Sequence, residues 1–526
     1  MRKPLFPSAL ALVILAAATL ASCGSQGLSP SIAKTRTGYI RLNEPVVVNF
    51  SLKVDPKSVK ATVSPATDFT VNIQAKKAML TPTKGWQPGK KYTLSLKNVR
   101  TSDHTTELSS WKGSFNTQPL TGIAGFLIDG KAVPNGTATP TMGPLSKVTI
   151  TFTAPMKIET AAPTLNDKPV PAPKFSWAPD TKSVDVVGPY LPFQALKFGV
   201  LSTATTAKGD LANDLTPIAL TTLGLEPSNS TSQISAGFAT KAALLVVIDD
   251  AGQARPQAGL QGADMAFEYI SEYSISRFTL LFFNNPSSTI GPVRSCRMIN
   301  AYLLEAFHGI QMCSGGSVGT LHYFYGNPLL ASNINDFDNG SHYFRVGFKP
   351  APHNLYTDQG RALRLRDEQN IGAGPYVIDP AHNDVSLGSP TEAPSIPLHG
   401  VNYSFDDSCS CYRPFDQGSP RTDSNTGGQL GVKNVVIMKV PFHDAGWVED
   451  ENGGAHSIWY DMNGTGSAEI WSNGRMVHAI WHQGAASNGY YENTTQPMYF
   501  TDESGNLLRL NTGLTWVHVV GDGQTS

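Results

Sequence analysis

A chain of 526 residues is too long for one ordinary core, and three or four domains are expected. Hydrophobic residues make up 40%, enough to fill several interiors, while 48 Gly and 37 Pro demand many turns. Lys and Arg total 40 against 41 Asp and Glu, so the basic surplus of a general nucleic-acid binder is missing and any recognition of charge has to be local.

Arg2 and Lys3 precede an apolar run from Ala9 to Ala21, which is too short for a permanent transmembrane helix and has the size of a signal-peptide core. The run ends in Leu20-Ala21-Ser22-Cys23, which resembles the lipobox of bacterial lipoproteins. That resemblance implies a signal peptide over residues 1–22 and a diacylglyceryl group on Cys23, whose acyl chains hold the protein to the membrane. The expected location is the extracytoplasmic face of the cell membrane, with residues 23–36 as a small, polar tether.

Residues 37–118 read as β: Val46 to Phe50, Ala78 to Leu80 and Tyr92 to Leu96 are separated by turn signals such as Asp55-Pro56 and Gln87-Pro88-Gly89. A similar plan recurs over 119–224, where Val148 to Thr153 echoes the Val46 run and Leu196 to Val200 echoes the Tyr92 run. Two β-sandwiches are expected. The first, with its Pro-Gly before Tyr92-Thr93-Leu94, resembles the bacterial Ig-like modules of surface proteins, which implies a spacer. Residues 225–240 read as a polar linker. A mixed α/β core is then expected over 241–398. It holds a buried strand over Ala242 to Ile248, two strands folded about Tyr273-Ser274, a helix from Met298, a short strand over Ile310 to Cys313, and helices over Val318 to Tyr325 and from a Thr357 cap. A β-rich part over 399–526 closes the chain, with a strand over Asn434 to Val440 and hairpins turned at Asn473-Gly474 and Ser504-Gly505.

With Cys23 lipidated, Cys296, Cys313, Cys409 and Cys411 remain, and three disulfide pairings are open. Cys409-Ser410-Cys411 lacks a matching Cys or His pair at zinc spacing, so neither metal nor cofactor is expected. Of the five tryptophans from Trp447 onward, core packing is the expected use.

The densest polar cluster runs from Asp249 to Tyr356 and includes Arg255, Asp264, Glu268, Glu272, Arg277, Arg294, Ser295, Arg297, Gly315, Gly316, Ser317, His353 and Asn354. Arg294 and Arg297 stand at the start of the Met298 helix, where the helix dipole already presents positive charge and cations need an anion nearby. Gly315-Gly316-Ser317 lies between strand and helix, where backbone N–H groups converge on anions. Together they describe a pocket for a carboxylate or phosphate. Ion pairs from Arg294 and Arg297 to Glu268, Glu272 or Asp264 would explain the same charges without a ligand.

Ala254-Arg255-Pro256-Gln257 with Gly259-Leu260, Asp264, Glu268, Glu272 and Ser276-Arg277-Phe278 resemble the YerB-type bacterial lipoproteins. Ile290-Gly291-Pro292-Val293-Arg294-Ser295, Gly315-Gly316-Ser317, Pro352-His353-Asn354-Leu355-Tyr356, Tyr412-Arg413, Thr422-Asp423, Asn434-Val435-Val436 and Thr515-Trp516 continue the match in order, over roughly 242–521. The resemblance implies a leader, a domain of unknown function and a β-rich C-terminal part, and no reaction. Asp250-Ala251 stands where that family tends to have Asn-His, Cys296 where Ala is usual, Cys313-Ser314 where His-Ala is usual, and Tyr273 in place of a Gly.

Two function classes follow. One is an envelope lipoprotein that holds an anionic cell-wall polymer or a wall-synthesis protein through Arg255, Glu268, Arg277, Arg294, Arg297, the Gly315-Gly316-Ser317 turn, His353, Asn354 and Tyr356. The other is an envelope hydrolase or transferase with Ser317 or Ser295 as nucleophile, His353 as base and the Gly315 and Gly316 amides as oxyanion hole. Binding stands first, because no Ser-x-x-Lys set and no His-Glu-x-x-His is present.

Overall fold

The computed structural model describes residues 27–134, 139–229, 237–283, 285–335, 341–379, 387–451, 453–484 and 498–524; the leader, Cys23 and residues 230–236 of the expected linker lie outside them. The chain is multidomain and mostly β, with 47% strand and 9% helix. It divides into two compact units, residues up to 122 with 205–214, and 123–204 with 215–526.

In the first unit a four-stranded sheet (Pro30–Ile32, Val46–Phe50, Lys77–Pro82, Phe69–Gln74) and a three-stranded sheet (Lys60–Ser64, Lys91–Arg100, Glu107–Asn116) share one core. Period-two alternation sends Val46, Val48 and Phe50 inward from one sheet and Tyr92, Leu94 and Leu96 from the other. In the second unit, two five-stranded sheets built between Ile123 and Thr222 enclose Val148, Val186, Phe198 and Leu220.

The rest of the second unit is organised by one large mixed sheet. Its main strands are β1 (Leu244–Asp249), β2 (Met265–Glu272), β3 (Ile275–Phe282), β4 (Ile310–Met312), β5 (Asn434–Val440), β6 (Gly464–Ser472), β7 (Arg475–Gln483) and β8 (Thr515–Gly521). They lie in the order β4-β1-β3-β2-β8-β5-β6-β7, so the 241–398 and 399–526 segments share a single sheet. β1 is apolar from Leu244 to Ile248 because both faces are covered: Leu244, Val246 and Ile248 enter one core and Leu245 enters another. The β2–β3 hairpin turns at Tyr273, whose φ of 51° is the left-handed conformation that glycine adopts more easily. The β6–β7 turn uses positive φ at both Asn473 and Gly474, as a type I′ turn requires. Helices α1 (Met298–Ala306), α2 (Val318–Gly326) and α3 (Gln359–Gln369), with a short helix over Pro328–Asn333, belong to the first segment.

Three expectations need correction. Gly224–Pro227 is a buried strand paired in parallel with Tyr376–Asp379, where a polar linker was expected; Leu225 is apolar and Glu226 is sealed with it. The helix expected from Thr357 begins one residue later. Leu355–Asp358 is a strand, and the Asp358 carboxylate accepts the Arg361 amide as the cap of α3. The Ser504-Gly505 hairpin forms, with Thr501 bridged to Leu507, but it stops short of β8: Tyr499–Asp502 also pairs with β7, and β8 lies between β2 and β5. A strand buried at all seven positions belongs at the sheet centre.

Candidate functional site

β1 ends in Asp249, Asp250 follows it, and the charged side chains of the cluster sort themselves around this end and the adjoining hairpin into three groups. In the first, Asp249 Oδ2 lies 3.2 Å from Arg294 Nε and 2.7 Å from His353 Nδ1. Asp250 takes Arg255 at 3.0 Å, Gln257 Nε2 at 2.9 Å and Ser276 Oγ at 2.7 Å. Burial pushes the Asp250 carboxyl up to about 6, against the pull of Arg421. Lys349 donates to the Ala254 and Pro256 carbonyls, and its pKa is lowered by burial although Asp249 pulls the other way. Tyr356 is buried beneath this group, with burial and then Asp249 raising its hydroxyl to about 12. Gly291, φ 153°, packs flat on the Tyr356 ring; a Cβ there would come within 2.5 Å of it. Asn354 turns away and accepts from the exposed Arg345.

The second group is closed. Glu272 accepts Arg277 at 2.8 Å and Arg297 at 2.7 Å, and Arg297 reaches Glu449 at 3.0 Å. Arg277 also donates to the Ser295 carbonyl. The Glu449 carboxylate accepts the Ser317 amide at 3.2 Å and the hydroxyls of Ser317 at 2.9 Å and Thr320 at 3.1 Å. The anion at the start of α2 is thus the protein's own, and Ser317 caps the helix by accepting from the Thr320 amide. Gly315 enters this turn at φ 68°, and its carbonyl accepts the Cys296 amide; Gly316 follows close to Leu321. Among the described residues no hydrogen bond joins Ser317 or Ser295 to His353. Cys296 and Cys313, two of the departures from the family pattern, are bonded to each other beside this group, and Cys409 pairs with Cys411.

The third group sits inside the core on the opposite side of β2. Glu268, fully buried, accepts Arg421 and Trp516 Nε1, each at 2.8 Å, and Arg421 also holds Asp416. The Arg421 guanidinium lies over the edge-to-face pair of Phe278 and Trp516, 4.8 and 4.9 Å from their ring centres. Burial works against ionised Glu268, yet Arg421 and the neighbouring histidines hold its pKa down. Asp416 extends this group to Arg255 at 3.4 Å, and an open cleft of about 430 Å³ is lined by Arg255, Gln257, Asp416, Ser419, Arg421 and Thr422.

Of the residues singled out by sequence, Arg255, Arg294, His353 and Tyr356 meet around Asp249-Asp250. Arg277, Arg297 and Ser317 meet around Glu272 and Glu449, while Glu268 is linked to the first group through Arg421, 4.0 Å from Asp250, and through Asp416 and Arg255. Asp416, Arg421, His399, His518 and Glu449 were not singled out. His518 had a readable signal, a titratable residue inside the apolar Trp516 to Val520 run of a core strand.

With this arrangement in view, the family models place the chain. Residues 230–371 match "Protein of unknown function (DUF3048) N-terminal domain", residues 395–517 match its C-terminal domain, and residues 27–117 match "Bacterial Ig-like domain". The main strands and charged groups of the large sheet fall within the two matches to the domain of unknown function, β8 running on past the second to Gly521, and both matches follow the Ig-like match in the sequence. The chain is a homologue of "Putative lipoprotein YerB" of Bacillus subtilis (strain 168), 27% identical over 290 residues, which are 53% of this chain and 80% of that protein. A crystal structure of the Bacillus subtilis YerB protein aligns with a TM-score of 0.43 and 23% identity over 54% of this chain and 91% of that one. L,D-transpeptidase 3 of Mycobacterium tuberculosis aligns with a TM-score of 0.14 and 14% identity over 24% of this chain and 44% of that one. Among the described residues no helix is long and apolar enough to cross a membrane.

Proposed function

We propose that this chain is a lipoprotein anchored through Cys23 on the extracytoplasmic face of the cell membrane, where it binds an anionic cell-wall polymer. Its paired β-sheets between residues 27 and 222 serve as Ig-like spacers, and the α/β core that follows carries the site. The leader ending in Leu20-Ala21-Ser22-Cys23 and the similarity to a protein named as a lipoprotein support the anchor.

The observation that carries the binding reading is the division of the arginines by exposure. Arg277, Arg297 and Arg421 are sealed in ion pairs, whereas Arg255 and Arg294 keep 31% and 27% of their side chains open to solvent. Lys349 lies beside them, and Phe348, 76% exposed, packs against Tyr356 at the same edge. A wet rim of cations with one bare aromatic ring suits a polymer of sugars carrying carboxylates or phosphates. Ser317 has no part in this reading, since its hydroxyl is engaged by Glu449.

Co-sedimentation of the purified chain with isolated wall fragments tests the proposal. Arg255→Ala, Arg294→Ala and Phe348→Ala should each lower retention several-fold, measured on protein shown by circular dichroism to be folded. Equal retention of all four proteins would remove the site.

A further inference from the structure

The polar atoms buried on the β2–β8 face have a use that anion binding at the rim leaves untouched. Glu268 and His518 are register partners on the parallel strands β2 and β8, and His399 closes the single 3₁₀ turn, Pro397–His399, laid across them. All three side chains are sealed from solvent. His399 Nδ1 is 2.7 Å from His518 Nδ1, His518 Nδ1 is 3.6 Å from Glu268 Oε2, and Glu268 Oε1 is 3.9 Å from His399 Nδ1. Three donors bound at about 2.0–2.1 Å to one tetrahedral ion stand about 3.3 Å apart, inside that spread. We infer that Glu268, His399 and His518 form a site for one divalent transition-metal ion of the zinc class.

The donor set fits such an ion: two imidazoles and a carboxylate leave a fourth position to a water. The surroundings hold the donors as ligand-orienting groups do. The Tyr403 hydroxyl lies 2.8 Å from His518 Nε2, so a proton on Nε2 can be donated to it, leaving the Nδ1 lone pair facing the site. Arg421 Nη1 and Trp516 Nε1 both donate to Glu268 Oε2 at 2.8 Å, which fixes the carboxylate, while Oε1 accepts a longer bond, 3.4 Å, from Arg421 Nη2. Without a cation, only one of the two facing Nδ1 atoms can carry a proton, and the contact rests on that single hydrogen bond in a dry core. Charge points the same way. Arg421 opposes a cation at this place, but Glu268, Asp250 and Asp416 outnumber Arg421 and Arg255 in the connected network. The open cleft lined by Asp416 and Arg421 is one side chain away from Glu268 and supplies an approach.

The full chain, stripped with a chelator and dialysed against Zn²⁺ or Co²⁺, should retain about one equivalent per chain by elemental analysis, with the visible absorption of low-coordinate Co²⁺. His399→Gln, His518→Gln and Glu268→Gln should each lose most of that metal and the Co²⁺ band, with folding checked by circular dichroism. A control variant with His443, His456 and His478, all exposed, changed to Ala should bind as wild type does. Should His518→Gln fail to fold, His399→Gln, on the covering turn, carries the test. Absence of Zn²⁺ and Co²⁺ uptake by wild type overturns the site, leaving a plain histidine–histidine hydrogen bond; so does uptake that survives His399→Gln or vanishes in the surface control.

Discussion

Arg421→Ala is expected to lower the stability of the second unit by about 3–5 kcal/mol, one of the two largest single-residue effects in this protein. The guanidinium bridges Glu268 and Asp416 inside the core, and its own side chain is 1% exposed. Removing it leaves the fully buried Glu268 carboxylate without its arginine and leaves Asp416 to Arg255 at 3.4 Å. The destabilisation comes from that uncompensated charge far more than from the value of the ion pair, which sets the order among substitutions. Removing a carboxylate along with the arginine, as in Arg421→Met with Glu268→Gln, should recover much of the loss. Trp516 reports the event directly, because its indole donates to Glu268 and lies beneath Arg421. Chemical denaturation followed by tryptophan fluorescence would show the midpoint falling for the single variant and recovering in the pair. A midpoint unchanged by Arg421→Ala would mean that the network is not buried as described.

Glu272→Gln is expected to cost a comparable amount, about 3–5 kcal/mol at neutral pH, and to change how stability depends on acid. Glu272 is the carboxylate shared by Arg277 and Arg297, two guanidinia at close quarters whose other acidic partner among the described residues is Glu449. Burial alone would raise its pKa, but Arg277 and then Arg297 outweigh it and hold it below the ordinary 4.5. A carboxyl whose folded pKa is depressed contributes stability that is present above its unfolded value and lost as pH falls through the folded one. Wild type should therefore lose stability as pH drops below about 4.5. The variant, lacking that proton site, should fall less steeply over the same window. Melting curves from pH 7 to pH 3 on both proteins check this, and parallel curves would contradict it.

How far these groups could be read from the sequence depended on the range of the signal. The β1 run, the Tyr273 hairpin and the Asn473-Gly474 turn are local patterns, and each became the element it predicted. The linker failed because Leu225 and Glu226 are too few to show a period, and only the distant Tyr376–Asp379 strand tells them to be a strand. The charges of the cluster were visible, but their pairing was not. Arg297 was matched with an acid on the hairpin, which Glu272 supplies, while its second partner, Glu449, comes from a strand with mostly exposed positions that reads as surface. Glu268 and His518 are neighbours only because β8 inserts beside β2, across a separation of 250 residues that no spacing rule spans. The Gly315-Gly316-Ser317 turn was correctly placed between strand and helix. Its chemistry differed from the expectation because the anion it attracts is built into the chain.

The central claim is that Arg255 and Arg294 are held open to meet an anionic polymer while the deeper arginines serve the fold. It is tested most directly by binding of the purified chain to wall fragments across a salt series. Wild type should weaken by about tenfold or more between 50 and 500 mM NaCl, as exposed charges are screened, and Arg255→Ala with Arg294→Ala should bind weakly at every salt concentration with little dependence on it. Identical salt dependence in the two proteins would show that the open arginines do not contact the wall.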